Sequence, residues 1–76
     1  MSYDDYATTI PWTKSARGVY EGIPRSSGRR YHELRYRVRQ HGDKVLLTGP
    51  CALRGEFDTF RDAKALALAH VRMLLG

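Results

Sequence analysis

The sequence predicts an α+β domain, a three-stranded antiparallel sheet with one C-terminal helix packed on one face (β-β-β-α). Three observations carry this. Residues 18–23, 31–40 and 44–48 place apolar side chains in the alternating or continuous runs of strands. Turn-forming clusters containing Gly and Pro separate them. Residues 60–75 then run without Gly or Pro, rich in alanine, with apolar side chains at helical spacing.

The middle strand organises the rest. Along Tyr31 to Gln40 a period of two puts Leu34, Tyr36 and Val38 on one side and Tyr31, Glu33, Arg35, Arg37 and Arg39 on the other. The second face therefore carries three arginines about 7 Å apart, which repel one another unless something anionic or the solvent screens them.

Ahead of it, residues 1–11 read as a flexible N-terminal arm, and residues 12–76 as a single domain. Within the arm, Tyr3, Tyr6 and Ile10 are free either to pack back on the domain or to leave the terminus frayed. Trp12, the only tryptophan, is expected as a core anchor. The first strand is placed on Gly18–Ile23, and Pro24–Arg30 is read as a loop by its Pro, Ser and Gly content. That loop holds Arg25, Arg29 and Arg30, placed either to clamp a phosphate backbone or simply to keep a loop solvated.

After the middle strand, His41–Lys44 is a compact turn in which Gly42 supplies positive φ, and Lys44–Thr48 is the third strand. Cys51–Leu53 is read as a short continuation before Arg54-Gly55 turns the chain. Thr59 and Asp62 have the spacing of a helix cap, and the stripe Phe60, Ala63, Ala67, Val71 and Leu74 is expected to face the sheet, with His70 packed at its flank.

A chain of 76 residues makes one domain with a small core. The formal charge of +5 favours anionic partners. A single cysteine, Cys51, allows no internal disulfide and suits a reducing compartment, and it is expected as a small buried residue. The acidic opening segment has no apolar run of a signal peptide, and no stretch is long enough to span a bilayer, so a cytoplasmic protein is expected, in the host cytoplasm if phage-encoded. His32, His41, His70 and Cys51 share no metal-ligand spacing, and no nucleophile–base or phosphate-loop pattern appears. The expectation is a binding protein without catalytic residues, cofactor or metal.

The leading expected partner is double-stranded DNA, bound through Arg35, Arg37 and Arg39, with Arg25, Arg29 and Arg30 on phosphate and Tyr31 adding a sugar or base contact. The alternatives are an acidic host protein matched to the same arginines and an arginine face that only meets water. RNA or a single strand ranks lower, because exposed aromatics for stacking are few. Beyond its core stripe, the helix still carries Leu66 and Met73 on one flank and Leu68 and Leu75 on the other, a surface suited to a homodimer.

The three-strand order followed by Gly55-x-Phe57-x-Thr59-x-x-Asp62-Ala63-Lys64 resembles the small arm-site DNA-binding domain of phage and transposon tyrosine integrases, over roughly residues 18 to 74. In that family a three-stranded sheet docks in the major groove and the helix backs it. The resemblance thus implies that Arg35, Arg37 and Arg39 lie on the groove-facing strand. In size and composition the chain also resembles short bacteriophage accessory proteins, some of which bind host proteins.

Overall fold

The computed structural model describes residues 8–75. The expected arm therefore lies outside the described residues up to position 7, as does Gly76. The chain forms β1 (Trp12–Ala16), β2 (Val19–Gly22), β3 (Arg25–Ser26), β4 (Arg29–Arg30), β5 (Tyr36–His41), β6 (Lys44–Thr48), β7 (Arg54–Phe57) and α1 (Phe60–Leu75). The α+β class with an antiparallel sheet and one C-terminal helix holds, but the main sheet has five strands, not three, in the order β1-β2-β5-β6-β7. Each strand pairs antiparallel with its neighbour, and β3 and β4 form a separate two-stranded ribbon inserted between β2 and β5.

The two additional strands lie at the sheet edges. Residues 12–23 hold two strands rather than one, β1 and β2, turned at Arg17-Gly18 with Gly18 at φ 71°. The segment read as a turn at Arg54-Gly55 is β7, so the chain reverses earlier, at Pro50–Leu53. The middle strand starts at Tyr36 rather than Tyr31. Its expected first half is a turn closed by the Leu34 N–H donating to the Tyr31 carbonyl at 2.9 Å. Nor is 24–30 an irregular loop. Ser27 and Gly28, at φ 53° and 81°, make the two-residue turn with positive φ at both positions that tight hairpins favour.

Residues 8–11 dock against this ribbon and the core. Thr9 and Arg25 exchange both backbone hydrogen bonds at 2.8 Å, the Thr8 and Ser26 hydroxyls lie 2.9 Å apart, and Ile10 packs against the core.

That core is a single layer between sheet and helix. Tyr36 and Val38 of β5, Val45 and Leu47 of β6, and Ala63, Ala67 and Val71 of α1 are sealed from solvent. Each large apolar side chain buried this way contributes roughly 1.5–3 kcal/mol, while the alanines let the helix lie close to the sheet. Around them pack Trp12, Leu34, Leu53, Phe57, Phe60, Leu68 and Leu75. The helix begins as expected, with the Asp62 N–H donating to Thr59 Oγ1 at 3.2 Å. Leu74, expected on the inward stripe, is instead 39% exposed. Cys51, expected to be buried, is exposed on the turn between β6 and β7.

Candidate nucleic-acid interface

Because α1 covers one face of the sheet, the alternate side chains of every strand are left on the other. The register orders them into rows. Thr13, Glu21, Arg37, Thr48 and Arg54 follow one another from β1 to β7, and Val19, Arg39, Leu46 and Glu56 form the next row. Arg37 and Arg39 are exposed here, as the alternation of β5 predicts, while Val19 and Leu46 bracket Arg39 with apolar surface.

Arg37, Arg39 and Arg54 rim a groove of about 560 Å³ whose remaining lining is Leu46, Thr48, Gly49, Ala52 and Leu53. Strand spacing puts Arg37 and Arg54 about 10 Å apart, one on each side of Thr48. A second groove, about 280 Å³, runs between β1–β2 and the ribbon, and brings Arg25 and Arg30 beside Pro11, Thr13, Glu21 and Ile23. Glu21 faces Arg37 across the strand pair, so it stands between the two basic grooves. Arg25, Arg30, Arg37, Arg39 and Arg54 make no ion pair among the described residues.

The sequence-derived residues thus divide. Arg37 and Arg39 share one groove, and Arg25 and Arg30 share the other. Arg29 turns to the Tyr31 ring, 4.6 Å from its centroid, and to Glu33 at 3.9 Å. Arg35 is exposed, precedes β5 and lines neither groove. Arg54 and Thr48 were not singled out by sequence reasoning, nor was Glu21. The signal for Arg54 was present: from 54 to 57, Arg and Glu alternate with Gly and Phe. On the opposite side of the molecule, Leu66, Met73 and Leu74 are exposed along α1, while Leu68 and Leu75 pack partly against the core.

Two titrating contacts stiffen the scaffold beneath. Lys44 on β6 donates to Asp58 just before the helix. That hydrogen bond, reinforced by the opposite charges, raises the ammonium and lowers the carboxyl from their ordinary ranges. Tyr36 Oη lies 2.6 Å from His70 Nδ1, joining β5 to α1. Burial first, and the nearby Cys51 second, push the phenol up to about 12. Among the described residues, no three His, Cys, Asp or Glu side chains gather as a metal-ligand set, and no helix is long and apolar enough to cross a membrane.

Compared with known proteins, the chain matches no family model, no curated protein and no solved structure.

Proposed function

We propose that this domain binds double-stranded DNA through the uncovered face of its sheet and the ribbon beside it, as a binding module without catalysis. The observation that carries this reading is the clustering of Arg25, Arg30, Arg37, Arg39 and Arg54 into two adjoining grooves, where they make no ion pair among the described residues. Guanidinium groups held in open grooves suit phosphate, which they bond bidentately.

The width of the sheet supports a division of labour within this reading. Four interstrand spacings of about 4.8 Å make a face about 19 Å across, wider than the roughly 12 Å major groove. A two-stranded ribbon fits such a groove more readily than this five-stranded face, and β3–β4 is one, with Arg25, Arg29 and Arg30 on it. The ribbon then reads base edges, and the sheet face, with Arg37, Arg39 and Arg54, rests on the flanking backbone. This reverses the division of labour that a three-stranded groove-docking sheet of the integrase kind implies.

Duplex affinity measured against salt concentration tests the proposal. The three phosphate contacts of Arg37, Arg39 and Arg54 give a log–log slope of about −2.7, and Arg37→Ala with Arg39→Ala makes it shallower by about two. Absence of binding at low salt overturns it. An acidic protein is the second reading, favoured by the apolar lining of the larger groove at Leu46, Ala52 and Leu53, which suits a side-chain anchor between carboxylates. A defined protein partner retained after nuclease treatment, together with a duplex titration that shows no binding, decides for it.

A further inference from the structure

We propose that the groove between Arg37, Thr48 and Arg54 is a clamp for a terminal phosphate, the monoester at the 5′ end of a nucleic-acid strand. The inference rests on the nucleic-acid reading above and sharpens it to one site and one ligand group.

Three features argue for it. Thr48 is the centre of the row Arg37–Thr48–Arg54, an exposed hydroxyl with a guanidinium on the strand to either side. A tetrahedral anion seated over Thr48 receives donors from both flanks and one from below, and Arg39 adds a third positive charge at the rim. Secondly, the charges fit a dianion. Three guanidiniums line the groove, with Glu21 opposite Arg37 and Glu56 in the next row, so a monoester, which carries about −1.5 to −2 near neutral pH as phosphorylated side chains do, is held more strongly than an internal diester with its single charge. Thirdly, the turn between β6 and β7 supplies one wall through Gly49, Ala52 and Leu53. A strand end seats against that wall. The apolar lining at Leu46 and Leu53 then lies against the attached sugar.

Fluorescence anisotropy with one duplex, prepared with 5′-phosphate and with 5′-hydroxyl ends, reads the clamp directly. The phosphorylated form is expected to bind about tenfold tighter, equivalent to one charge-assisted hydrogen-bond set. Thr48→Val and Arg54→Gln, both on the exposed face and outside the core, abolish that difference while thermal unfolding stays unchanged. Equal binding of the two duplexes overturns the clamp and leaves duplex binding standing. If neither duplex binds but a nucleoside 5′-monophosphate does, and Thr48→Val removes it, the clamp stands and the duplex reading falls. Absence of binding by every probe overturns both.

Discussion

Tyr36 is the largest fully buried side chain among the described residues. It forms part of the sheet's inner face, and its hydroxyl meets His70 across the sheet–helix boundary. Which of the two atoms donates follows from the imidazole tautomer. Ionising Tyr36 inside the core is unfavourable, and its folded value of about 12 stands above the ordinary 10.0. A group raised in the folded state stabilises fully below its unfolded value and ceases to do so above its folded one. The contribution is therefore complete below pH 10 and lost as pH rises through about 12. At most about 3 kcal/mol is at stake, since each pKa unit corresponds to roughly 1.4 kcal/mol. Ultraviolet titration should show Tyr36 ionising late and together with unfolding. Tyr36→Phe removes that late step, and costs about 1 kcal/mol at neutral pH through the lost hydrogen bond to His70.

Among the elements, the turn from β6 to β7 is the one whose chemistry runs against its shape. Cys51 and Ala52 stand at φ 59° and 60°, consecutive left-handed residues where Asn-Gly is the favoured pair. The turn is held by the Leu53 N–H donating to the Pro50 carbonyl at 3.2 Å and the Gly49 N–H donating to the Leu53 carbonyl at 3.0 Å. Gly49 is required for space: a Cβ there stands 2.7 Å from the buried Tyr36 ring. Replacing Cys51→Asn and Ala52→Gly together is expected to stabilise by about 1–2 kcal/mol in urea unfolding, and Gly49→Ala to destabilise by a similar amount. The same turn explains what the sequence concealed. Without Gly or Asn at its centre it does not read as a reversal, which puts Arg54 on a turn in the sequence and hides its place across Thr48 from Arg37. At the other edge, β1 is exposed along nearly its whole length, and an edge strand with little buried surface leaves little apolar pattern to read. The ribbon is polar on both faces, and only its positive-φ turn and its pairing with Thr9 define it. By contrast β6, α1 and the Gly42 turn were legible, because each is specified locally by an apolar run, a cap or a glycine. The outward arginines of β5 were legible for the same reason, and the groove they share with Arg54 was not, because it depends on strand register.

At the scale of the whole molecule, the two sides differ in character: a basic sheet face on one and α1 on the other. Of the side chains that composition offered for self-association, Leu68 and Leu75 pack partly against the core, and Leu66, Met73 and Leu74 remain outward. Met73 is the most open of them at 73%. Two copies meeting along this flank about a two-fold axis would keep both arginine faces free, so the geometry permits DNA binding and pairing together. The area is the limiting quantity. A stable interface takes roughly 800 Å² from each partner, and three side chains, two of them already more than half covered, supply much less. Association through the helix is therefore expected to be weak. Sedimentation equilibrium should find the 8.7 kDa monomer at micromolar concentration and a dimer only toward millimolar. Met73→Glu should remove that dimer by placing like charges opposite each other across the axis, without lowering stability, because the side chain contributes little to the core. A dimer persisting in Met73→Glu would place the contact elsewhere on the surface, with the exposed edges of β1 and β7 as the next backbone groups open to pairing.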